Sequence, residues 1–153
     1  MSATDTKIPR AAAWLGGLGA IPFVGLAFAV PFITGVLQGF AAYALLAYGA
    51  VILTFLGAVH WGLAIASPRA AEGVGPRLIM SVIPSLIGWV ALLIGERWGL
   101  WISAAAIAAM FAVDQRAAGA GQAPVWYSKL RLPLTVVVVS ALGFAAVWLT
   151  VVA

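Results

Sequence analysis

His60 is the only histidine of the chain, and it lies inside a stretch, Ala41 to Ala66, that holds no Lys, Arg, Asp or Glu. An imidazole in such surroundings can be neutral glue between helices, bonded to a carbonyl or hydroxyl, or part of a proton relay or small-molecule site. Metal ligation is the weakest reading. A zinc site takes three or four ligands, and the chain offers one histidine and no cysteine. Haem on a lone histidine finds no further support, so no metal and no cofactor are expected. The absence of cysteine also removes disulfides and thiol catalysis.

Helical spacing places Gly49, Leu53, Leu56, Gly57, His60, Ala64 and Ser67 on one face, so the histidine shares its face with small residues suited to touching another helix. Trp61 and Trp89 fall well inside apolar runs. They either line an aromatic pocket for a quinone, tetrapyrrole or lipid, or pack against helices and lipid. Pro84 is flanked by Ser81 and Ser85, whose hydroxyls can satisfy carbonyls that the proline leaves free. A kink explains these serines better than catalysis, because no base stands at a suitable spacing. The candidate intramembrane site is therefore His60, Trp61, Tyr48, Gly57, Pro84, Ser85 and Trp89, with no catalytic residue among them. Asp114 is expected to be solvated at a membrane edge, paired with Arg116 or with a basic residue of Val125 to Arg131, and Glu96 to pair with Arg97.

These residues must be held by helices in lipid. The 153 residues are 65% hydrophobic and 8% charged, far below the charge of a soluble domain, and a globule this small cannot hide so much apolar surface. Five apolar spans follow: about 11–33, 41–66, 78–94, 100–113 and 132–152, a single all-α bundle of transmembrane helices. In the first, Gly16, Gly17, Gly19 and Gly25 accompany Pro22 and Pro31, which reads as close packing with a kink. Ser67-Pro68 is expected to stop the second, and Asp114, Gln115 and Arg116 to end the fourth. Val125 to Arg131, VWYSKLR, reads as a segment lying at the headgroup level.

The eight basic residues are scattered singly, which excludes a phosphate-tracking nucleic-acid surface. They serve better as topology signals. With alternating crossings, Lys7, Arg10, Arg69, Arg77, Arg116, Lys129 and Arg131 fall on one side and only Arg97 on the other. The positive-inside rule then puts the N-terminus in the cytoplasm and the C-terminus in the periplasm. The Ala- and Gly-rich composition points to a bacterial inner membrane.

The string YGAVILTFLGAVHWG, Tyr48 to Gly62, together with IPSLIGW, Ile83 to Trp89, and WYSKLRLPLT, Trp126 to Thr135, resembles the bacterial domain-of-unknown-function family 3429, related to the eukaryotic transmembrane protein 69 group. The resemblance covers roughly Ala11 to Leu149. It implies a small polytopic inner-membrane protein and brings no reaction with it.

Two functions stand at this point. The first is a non-enzymatic membrane protein that binds a partner or supports assembly of a membrane complex, its neighbours being the lipid bilayer and other membrane proteins or further copies of itself. The second is a binder or carrier of a quinone, lipid or tetrapyrrole with its site around His60.

Overall fold

Lipid offers no partner for backbone polar groups, so each apolar run closes its own hydrogen bonds as a helix. The computed structural model describes residues 7–66 and 74–151. Five helices follow in order: α1 Arg10–Ala29, α2 Val36–Ile65, α3 Val74–Ile94, α4 Glu96–Gly119 and α5 Val125–Val151. Each is long and apolar enough to cross a bilayer, and no strand occurs among the described residues. The chain is a multi-pass membrane protein.

Several helix limits differ from those read in the sequence. α4 runs through Asp114, Gln115 and Arg116 to Gly119, because none of these side chains breaks a helix. Its stop is Gly121, with φ of 69°. There the Gln122 N–H donates to the Ala117 carbonyl at 2.9 Å and the Gly121 N–H to that of Ala118 at 3.0 Å, a glycine-terminated helix end. VWYSKLR is likewise no separate interfacial segment but the first two turns of α5, which continues through Pro133. The stop expected at Ser67-Pro68, and the loop charges Arg69 and Glu72, lie outside the described residues.

The helices form a ring. Each packs against the next, α5 returns to α1, and α2 also meets α4 across the middle. Leu45, Leu46, Leu53, Leu100, Ile107 and Leu142 fill the centre with almost no exposed surface. Glycines set the closest approaches. A Cβ on Gly57 would overlap the Ser81 carbonyl oxygen of α3, and one on Gly99 the Ala91 carbonyl oxygen. A Cβ on Gly88 would stand 3.0 Å from the Ala50 Cα. In α1 only Gly16, against Leu134, is comparably tight, whereas Gly17 and Gly25 have open space beside them.

Pairing across the ring fixes which helix ends lie together. Gly16 near the start of α1 faces Leu130 and Leu134 near the start of α5. At the opposite end, Arg97 Nη2 donates to the Thr150 carbonyl at 3.2 Å. Arg97 thus caps a carbonyl of α5 and, among the described residues, is not paired with Glu96.

Candidate functional site

The inner stripe of α4 runs Ser103, Ile107, Met110, Asp114 and Ala117, all buried. That of α5 runs Arg131, Thr135, Val138, Leu142 and Ala145. On α2 the stripe carries Leu53, Leu56, Gly57, His60 and Ala64. Steps of three and four residues keep each set on one face. Each stripe thereby delivers one ionisable side chain to the same place in the interior.

Asp114 has no exposed surface, against the solvated position expected from its sequence context. Its Oδ1 lies 2.9 Å from His60 Nε2 and its Oδ2 accepts from Arg131 Nε at 2.7 Å. Tyr127 Oη also donates to Oδ1, at 3.3 Å. A carboxylate only accepts, so the proton of the histidine bond sits on Nε2, and in the neutral form of the ring Nδ1 is then an acceptor. The pairing of Asp114 is with Arg131, within the basic segment considered from sequence, and not with Arg116, which is exposed. Ser128 Oγ donates to Gln115 Oε1 beside it, a second polar tie between α4 and α5. Arg131 Nη2 and Thr135 Oγ1 are buried without a partner among the described residues.

His60 stands five residues from Ile65, the last of α2, which is about 8 Å along the axis. Asp114 is equally near the end of α4 and Arg131 near the start of α5. The network therefore occupies the outer part of the bundle rather than its middle, where ionised groups are most costly. Arg10, Arg77, Arg116, Lys129 and Arg131 belong to this same end.

Next to the network, His60 lines a cavity of about 320 Å³. Leu63, Met80 and Val113 give it apolar walls, and Arg77 and Arg116 line it as well. Among the described residues, none that lines it carries a nucleophilic hydroxyl, amine or thiol. The arrangement can bind and orient a molecule and exchange a hydrogen bond with it through the imidazole.

The other residues selected from sequence do not gather here. Trp61 is 43% exposed and Trp89 59%, both on the outer surface and neither in the cavity. Tyr48 Oη donates to the Gly19 carbonyl of α1 at 3.0 Å, with its ring 4.8 Å from that of Phe23. Gly57 and buried Pro84 do meet, at the contact of α2 with α3, and Ser85 is half-buried nearby on α3. Pro84 deprives the Met80 carbonyl of its helical donor, yet Ser81 Oγ donates instead to the Leu78 carbonyl at 2.6 Å. What the sequence reading missed is Asp114, Tyr127 and Arg131. The signal was the three-and-four spacing of the α4 stripe, hidden once the helix was taken to stop at Asp114.

Fold and site define a polytopic helical membrane protein with a buried histidine–carboxylate–guanidinium network at its basic end. The chain belongs to the family described as protein of unknown function (DUF3429), which it matches over residues 8–147. It is 37% identical over 138 residues to transmembrane protein 69 of Xenopus tropicalis, covering 88% of this chain and 53% of that protein. With transmembrane protein 69 of Mus musculus it shares 29% identity over 132 residues, 84% of this chain and 52% of the mouse protein. The chain thus spans about half the length of these curated relatives. No solved structure matches.

Proposed function

We propose that the protein is a non-enzymatic binder or carrier of a membrane-soluble small molecule, held in the cavity beside His60. The observation that carries this reading is the junction of two features at one residue. The His60 ring is fixed by buried Asp114 at 2.9 Å, and the same ring lines an apolar-walled cavity of about 320 Å³. That volume is at the lower end of ligand pockets, roughly 300–1,000 Å³, and a histidine oriented by a carboxylate presents a defined hydrogen-bonding face.

The alternative, a partner-binding or assembly role, draws less support from the geometry. Gly49 and Gly57, the small residues that suited an external helix, face Ser103 and Leu142, and Ser81 and Pro84, within the chain itself. A partner would have to use the outward apolar surface that lipid also covers. We further place the protein in a bacterial inner membrane, on its Ala- and Gly-rich composition, with its basic end in the cytoplasm, on the distribution of Lys and Arg.

The test is extraction in mild detergent followed by identification of the small molecules that co-purify. A ligand lost in both His60→Ala and Leu63→Trp proteins, with unfolding midpoints still cooperative, is the expected result. Co-purification of a stoichiometric protein partner, with no small molecule retained by the unsubstituted chain, would favour assembly instead.

A further inference from the structure

We infer that the cavity takes a phosphate-bearing anion, its oxygens held by Arg77 and Arg116 beside His60, and that the anion is the headgroup of an acidic lipid. This deepens the binding role proposed above and rests on it. Arg77 on α3 and Arg116 on α4 line the cavity together with His60 on α2, so two guanidinium-bearing residues from different helices flank one space. Guanidinium groups suit tetrahedral oxyanions because they offer several N–H donors in a fixed fork.

Among the described residues the charge balance favours an anion as well. Asp114 is engaged by Arg131 and His60, and Glu96 lies at the opposite end of α4. Among the described residues, no carboxylate is paired with Arg77 or Arg116. The depth is that of a headgroup, since the network begins about 8 Å inside the end of α2 by helical rise. Leu63, Met80 and Val113 supply the apolar wall that an acyl chain would follow. Basic pockets between transmembrane helices at this level are suited to acidic lipid headgroups.

The experiment uses the full chain in phosphatidylcholine nanodiscs containing a minor fraction of phosphatidate with the same acyl chains, and native mass spectrometry reads the retained lipid. Phosphatidate is expected to be enriched over phosphatidylcholine by roughly tenfold or more, the scale of losing charge-assisted hydrogen bonds. The Arg77→Gln/Arg116→Gln protein is expected to lose this preference, and Arg97→Gln, at the opposite end, to keep it. Ala120→Glu, which sets a like charge into the cavity, serves where the double variant does not fold and is expected to abolish the preference too. Inorganic phosphate at millimolar concentration distinguishes the source. Failure to displace phosphatidate assigns the site to a lipid headgroup, whereas displacement, with phosphate binding to lipid-free protein, assigns it to the free anion.

Equal retention of the two lipids, or a preference that the substitutions leave intact, overturns the inference. If an uncharged quinone or diacylglycerol is then retained in a manner abolished by Leu63→Trp, the binding role survives without the anion. If nothing is retained, both fall.

Discussion

Asp114 and Arg131, seventeen residues apart on consecutive helices, meet at 2.7 Å in a place from which water is excluded. Only the guanidinium Nε makes the bond, while Nη2 is buried without a partner among the described residues. A pair of this kind is costly to break from one side, because the remaining charge stays in the interior uncompensated. Asp114→Asn is therefore expected to destabilise the protein by about 3 kcal/mol or more, read as a fall in unfolding free energy in detergent. Replacing both partners, Asp114→Leu with Arg131→Met, is expected to restore most of that loss, since a well-packed apolar pair can substitute for a buried ionic one. An Asp114→Asn protein as stable as the parent would show that the pair does not hold α4 to α5.

Tyr127 joins the same carboxylate by a longer bond, 3.3 Å. Its removal leaves His60 and Arg131 in place on Asp114, so no charge is stranded. Tyr127→Phe is expected to cost about 1 kcal/mol or less, the net value of one neutral-donor bond. The same unfolding measurement checks the order, with Tyr127→Phe far milder than Asp114→Asn. A reversed order would mean that the phenol, not the ion pair, organises this end.

Topology is open to a direct measurement because the chain has no cysteine. Gln122 lies in the connection between α4 and α5, and Arg97 is exposed at the start of α4. Single Gln122→Cys and Arg97→Cys proteins are expected to react with a membrane-impermeant maleimide from opposite sides of the bilayer, Gln122→Cys from the cytoplasmic side. Labelling of both from one side would contradict five crossings.

The five crossings were legible in the sequence because lipid requires long uncharged windows, and such windows are visible as composition. The network was not, and the reason is specific. A hydropathy boundary marks where lipid ends, whereas a helix boundary marks where backbone hydrogen bonding ends. On α4 these differ by several residues: Asp114 follows Val113 in polarity but lies on the stripe of Ile107 and Met110 in direction. On α5 the polar start VWYSKLR concealed that Tyr127 and Arg131, four apart, share a face with Thr135 and Val138. His60 was found because it lay in the middle of an apolar run. Its partners went unrecognised because each sat just beyond one.

Gly57 and Gly62, five residues apart on α2, have opposite surroundings. At Gly57 the α3 backbone approaches so closely that any Cβ would overlap the Ser81 carbonyl oxygen, with Pro84 Cγ 3.5 Å away. The obstruction is backbone, which cannot rotate aside as a side chain could. Gly57→Ala must push α3 outward, at a cost of about 1–3 kcal/mol. Gly62 has nothing within 4 Å of the corresponding position and is exposed. There alanine only restricts the unfolded chain and favours the helix, so Gly62→Ala is expected to be neutral or stabilising by up to about 1 kcal/mol. Because α2 carries His60 as well, displacement of α3 at Gly57 also moves Arg77 and Met80 relative to the imidazole. Gly57→Ala should therefore weaken retention of the ligand proposed for the cavity while Gly62→Ala leaves it unchanged. Equal stability of the two proteins in detergent would show that the closeness of α2 and α3 does not set the geometry at this end of the bundle.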